Sequence, residues 1–302
     1  MYRIRDTIKL YNPLACGQEN VLIYQDTPGR DTFHVQNAWR GTIRNLGFVN
    51  GARQLNLGNP NIDQGLVRVE DCTFTDSSDF AIYMRKEGHS THLVVQGCAF
   101  SNCGQVLHAI CDLTTLRDCW ITTAKMRNKA AIENHGVLVC EDILGVPIPG
   151  DNGRWIDNYH SLTCRNFRFG GEFGGMTPVY NFSPFNHQLG VPGGYERFVA
   201  RAMGGAVILE GCWISAGIPG PPHVCAVYLN EIPNLLAIRN CALTAPAVIV
   251  HPRIKLGEYF KHLPSGKQPL PGMLRFDLQF NTGGFNNDPR TLALLRAARP
   301  WS

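Results

Sequence analysis

Long apolar runs are missing from this chain. No stretch approaches the roughly 18 residues that cross a bilayer, so no membrane-spanning helix is expected. The opening Met1-Tyr2-Arg3-Ile4-Arg5 does not lead into an apolar signal core. Blocks of one charge are missing too: 28 basic and 24 acidic residues leave a net charge of +4 without a basic run. That mild excess argues against nucleic acid as a principal partner and is compatible with an acidic polysaccharide. Among eleven cysteines there is no C-x-x-C pair, and no ligand set at zinc-type spacing is visible. No metal ligand is therefore assigned from the sequence.

What the chain has is repetition. A phrase of strand, bend and strand returns eight times: Ile43-Arg44-Asn45-Leu46-Gly47-Phe48, Val69-Glu70-Asp71-Cys72-Thr73-Phe74, Val95-Gln96-Gly97-Cys98-Ala99-Phe100 and Leu116-Arg117-Asp118-Cys119-Trp120-Ile121 come first. Val139-Cys140-Glu141-Asp142-Ile143-Leu144, Cys164-Arg165-Asn166-Phe167-Arg168-Phe169, Leu209-Glu210-Gly211-Cys212-Trp213-Ile214 and Ile238-Arg239-Asn240-Cys241-Ala242-Leu243 follow. Measured at the fourth position, the steps are 26, 26, 21, 23, 25, 45 and 29 residues. Such a period marks a solenoid, whose turns bury their apolar faces on one another. Seven of the eight third positions are Asn, Asp or Gly, residues that tolerate a left-handed backbone, so a tight bend belongs there; Glu141 is the exception.

Alternation of apolar and polar residues, as in Leu66-Val67-Arg68-Val69-Glu70, is strand chemistry. A second apolar phrase follows a loop in each turn, for example Phe80-Ala81-Ile82-Tyr83, Val106-Leu107-His108-Ala109 and Ala131-Ile132-Glu133-Asn134. A leucine-rich repeat would show a denser Leu frame and room for a helix. Three short strands per coil fit better.

On these phrases, over roughly residues 40 to 250, the chain resembles the right-handed parallel β-helix proteins of the pectate-lyase-like superfamily. The resemblance implies an all-β solenoid of about eight to nine coils. Related β-helices carry lyases, hydrolases, epimerases and phage tailspikes, so the fold leaves the activity open. The expected organisation is an N-terminal cap or irregular first coil over 1–38, a β-helix over 39–288, and a C-terminal cap over 289–302. The 45-residue step places a loop insertion at 170–205, which walls a binding face or packs on the barrel through its own aromatics. The cap reads as a short amphipathic helix, Pro289–Ala298 after the N-cap Asp288, covering strand edges at the solenoid's end. An extracytoplasmic address is expected from the resemblance. The missing signal then means a removed leader, an excised piece, or action inside a cell or virion. A monomer or a homotrimer is compatible with the family.

Five cysteines, Cys72, Cys98, Cys119, Cys212 and Cys241, share one coil position and are expected as an inward stack about 4.8 Å per step. They read as small buried hydrophobes rather than as metal ligands or disulfides.

In the resembled superfamily the sheet after the loop borders the substrate groove. If Ile82, Leu107, Ile132, Ile156, Val179 and Val227 point inward, Tyr83, His108, Glu133, Asp157, Tyr180 and Tyr228 point outward. His135 and Tyr159 extend that face by two residues, and Arg85 and Lys86 follow the first strand. Glu133 and Asp157 would be neighbours on adjacent coils, with repulsion raising one pKa so that one carboxyl serves as acid while the other stays anionic. A calcium or sugar-hydroxyl ligand role, or a plain solvated pair, uses the same residues. For β-elimination, His108 and His135 supply a base, and Arg85 and Lys86 supply cations. His135-Gly136 and Arg253-Ile254-Lys255 match pieces of a polygalacturonase pattern, but they lie 118 residues apart and its paired-aspartate segment is absent.

The expectation is a carbohydrate-active protein that binds and cleaves an extended polysaccharide by hydrolysis or β-elimination. Glu133, Asp157, His108 and His135 are the catalytic candidates, and Tyr83, Arg85, Lys86, Tyr159, Tyr180 and Tyr228 the substrate-binding ones. A non-catalytic, tailspike-like or adhesion module is the alternative. No cofactor is named, calcium being compatible.

Overall fold

The computed structural model describes residues 1–254 and 275–282, apart from 12–13, 18–20, 38, 59–63, 86–89, 124–128, 148–153, 170–178, 183–204, 215–224, 232, 234 and 244–247. Lys86, nearly all of the expected insertion at 170–205 and the expected helix over 289–302 lie outside the described residues. Those that are described form an all-strand parallel solenoid with no helix. Its strands fall into one sheet of nineteen and one of ten. From Arg40–Arg44 to Val227–Leu229, about seven turns of three strands each follow one another. Strands before and after extend the stack: Tyr2–Ile4 pairs with Leu22–Gln25, and Ile8–Tyr11 with Phe33–Asn37, so these strands of the expected cap join the same two sheets.

Every bend of the repeated phrase has a left-handed residue: Asn45, Asp71, Gly97, Asp118, Asp142, Asn166, Gly211 and Asn240, with φ between 51° and 63°. The fifth phrase is therefore shifted by one from the sequence reading. Asp142, not Glu141, sits in the bend, because Cys140 pairs with Leu116 and Cys164 in the strand row. With Ile143 as marker, the neighbouring steps become 24 (143−119) and 24 (167−143). Hydrogen bonding continues through the bends: the N–H of Asp71 donates to the carbonyl of Gln96 at 2.9 Å, and that of Asp118 to Glu141 at 3.1 Å. Gly97 has a second reason to be glycine, since a Cβ there would lie 2.4 Å from Oδ1 of Asp71. A second bend row, Asn50, Asp76 and Asn102, closes the following corner in three turns.

Inside, like stacks on like. Phe48, Phe74 and Phe100 stack at 5.2 and 5.0 Å with nearly parallel rings. All five cysteines of the repeat are buried, and none of the eleven forms a disulfide. Their stack is not continuous, because the same position holds Ile143 and Phe167 between Cys119 and Cys212. A third interior column is polar. Asn134 Nδ2 donates to Asn158 Oδ1 at 2.8 Å, and Asn158 Nδ2 donates to Asn181 Oδ1 at 2.9 Å, all three being fully buried. Asn181 Nδ2 continues to the carbonyl of Glu231 at 2.8 Å. A buried amide without partners costs about 1–3 kcal/mol per unsatisfied group, so each asparagine is held in place by the next.

Candidate functional site

Ile82, Leu107, Ile132, Ile156, Val179 and Val227 are fully buried in the ten-stranded sheet, which turns their successors outward. Backbone register joins those successors into one column: Tyr83 to His108, His108 to Glu133, Glu133 to Asp157, Asp157 to Tyr180, and Tyr180 to Tyr228. The column extends before Tyr83 through Asn56, within the expected β-helix, and His34, within the expected cap or irregular first coil, neither of which was a candidate from the sequence. His135 and Tyr159 form a second column beside it, and Phe182 prolongs this one. Arg85 directly follows the strand Phe80–Met84.

Aromatic rings dominate the geometry. Tyr83 stacks on His108 at 4.7 Å, His135 on Tyr159 at 4.5 Å with 3° between planes, Tyr159 on Phe182 at 4.9 Å, and Tyr180 on Tyr228 at 4.9 Å. His108 and His135 lie 5.1 Å apart and link the two columns. Cations sit over ring faces at two places, Arg53 4.2 Å from the Tyr83 centroid and Arg154 4.9 Å from that of Tyr180. His108 and Asp157 are nonetheless buried, at 2% and 3% exposure, on a face expected to point outward.

The two carboxyls at the centre live in different surroundings. Glu133 accepts from Gln105 Nε2 at 2.8 Å, and its Oε2 lies 3.9 Å from Nε2 of His135. The His135 imidazole, with help from Gln105 and the charge of His108, pulls its pKa down to about 2 against the opposing effect of burial. Asp157 is gripped by the guanidinium of Arg154 through two 2.6 Å hydrogen bonds. Burial nevertheless pushes the Asp157 carboxyl above its ordinary value, opposing the pull of Arg154, while that pair raises Arg154. The shifts run in opposite directions, as neighbouring carboxyls were expected to show. Their first causes are His135 for Glu133 and burial for Asp157, and the repulsion expected to separate them is only a small part of the rise at Asp157.

His108 donates Nδ1–H to the carbonyl of Met84 at 2.6 Å, since a carbonyl oxygen can only accept. One ligand atom each from His108, Glu133 and His135 lies within 4.8 Å of the other two. The sequence showed no such convergence, because His108 is one whole turn away from the Glu133-x-His135 pair. Arg154 and Gln105 were also missed. Both stand at strand starts, where strict alternation would turn them inward with Ile156 and Leu107.

Neither protein-family models, nor curated proteins, nor solved structures give a match to this chain.

Proposed function

We propose that this chain is a carbohydrate-active β-helix protein of the pectate-lyase-like kind, binding an extended, acidic polysaccharide along the outer face of the ten-stranded sheet and cleaving it there. The supporting observation is the unbroken column Tyr83, His108, Glu133, Asp157, Tyr180 and Tyr228, flanked by His135 and Tyr159. Rungs about 4.8 Å apart set its spacing, and aromatic faces suit the apolar faces of sugar rings. Arg53, Arg85 and the net charge of +4 suit a uronate-bearing chain.

Reaction at the centre falls to Glu133, His108 and His135. Asp157 has both oxygens occupied by Arg154, which makes it a positioning carboxylate and weakens a two-carboxylate hydrolysis in which one group must donate a proton. β-Elimination is the better supported reaction for this set. A panel of uronate and neutral polysaccharides, read by reducing ends and by ultraviolet absorbance of the unsaturated product, tests it. Both signals from a uronate polymer, lost in Glu133→Gln, are expected; reducing ends alone would mean hydrolysis. Silence in both, with binding retained, would leave the adhesion reading.

A further inference from the structure

We propose that His108, Glu133 and His135 form a binding site for one divalent transition-metal ion of the zinc class. The three side chains offer two imidazole nitrogens and one carboxylate, a set used at catalytic zinc sites, where a further coordination position stays open. Their ligand atoms already lie within 4.8 Å of one another. A metal at 2.0–2.2 Å from each would draw them to roughly 3.3 Å apart, an adjustment within the reach of side-chain torsions.

Each ligand is oriented by a neighbour, as metal-binding side chains require. The 2.6 Å bond from His108 Nδ1–H to Met84 makes Nε2 the coordinating nitrogen. Gln105 holds Oε1 of Glu133 at 2.8 Å, leaving Oε2 as the atom nearer His135. The flat stack on Tyr159 fixes the plane of the His135 ring. His108 and Glu133 are joined by backbone register on adjacent turns, so the scaffold holding them is sheet rather than loop. Asp157, the next carboxylate in the column, is drawn off by Arg154 and does not enlarge the site into an oxygen-rich one. Two nitrogen donors among three ligands select against calcium, which takes six to eight oxygens.

The site uses the same three side chains as the proposed reaction centre, but its test uses no sugar, so metal binding and polysaccharide cleavage can fail separately. The full chain is stripped with a chelator and titrated calorimetrically with zinc, manganese or calcium. A Cys16→Ser background is used because Cys16 is exposed and the other ten thiols are buried. Zinc is expected to bind at one per chain, at least 100-fold more tightly than calcium. Glu133→Gln and His135→Gln, both at partly exposed positions, should each weaken zinc at least 100-fold while keeping the wild-type circular dichroism spectrum. No saturable zinc binding would overturn the proposal. So would zinc binding unchanged by either substitution, or calcium binding as tight as zinc.

Discussion

Arg154 and Asp157 stand three residues apart on one strand and close on each other through two parallel 2.6 Å hydrogen bonds. The carboxylate is buried and the guanidinium only partly so. Removing one member leaves the other without its partner. Arg154→Met is expected to cost about 3 kcal/mol in urea unfolding, and Arg154→Met with Asp157→Leu to recover most of it. A double variant no better than the single would show that the pair contributes through something other than compensating charge.

The asparagine column makes a second prediction. Asn158 both accepts from Asn134 and donates to Asn181 and to the carbonyl of His160. Asn158→Ala should destabilise by about 3 kcal/mol, since partners above and below lose a hydrogen bond in a dry interior. Asn158→Asp keeps the acceptor but loses the donor and buries a charge, so it should cost at least as much. Thermal denaturation of both variants beside an exposed-site control measures this.

Stability should fall on mild acidification through His160. Its ring is partly buried, its buried Nδ1 has no hydrogen-bond partner among the described residues, and desolvation lowers its pKa below 6.5. The unfolded chain therefore binds the proton more readily than the folded one. Stability from this group is complete above about pH 6.5 and declines as pH drops from there toward the folded pKa, by at most about 1.4 kcal/mol per unit. Urea midpoints at successive pH values should show the decline, and His160→Gln should flatten it. An identical decline in the variant would assign it to other groups.

Thiol chemistry gives a fourth outcome. Cys16 is exposed, whereas ten cysteines are buried, with burial raising the pKa of Cys103 and Cys225. A thiol reagent should titrate one group rapidly in the native protein and eleven in denaturant, with Cys16→Ser abolishing the fast phase. Several fast thiols would mean that the stack opens readily.

The coil was legible because one left-handed position per turn must be Asn, Asp or Gly, and those letters recur at Asn45, Asp71, Gly97 and Asn166 whatever the loops do. The slip at Glu141 arose because Val139 and Cys140 are both suited to an inward strand position, and only pairing with Leu116 and Cys164 decides between them. The outward column was legible from period two. Its chemistry was less so: the grip of Arg154 on Asp157 depends on a strand start where alternation fails, and His108 meets His135 only once two turns are stacked. The column Asn134, Asn158 and Asn181 hid in plain view, since an isolated Asn in a strand phrase reads as a turn residue.

The eight bends share nearly the same φ, and the seven from Asn45 to Gly211 each pass their backbone N–H to the turn beyond. Extra length thereby leaves the register intact, as the 45-residue step between Phe167 and Cys212 shows: Tyr180, within it, and Tyr228, beyond it, remain direct neighbours. The outer face is thus graduated like a ruler whose divisions are set by peptide geometry alone. Lengthening or trimming a loop should alter what borders the scale without moving any of its marks.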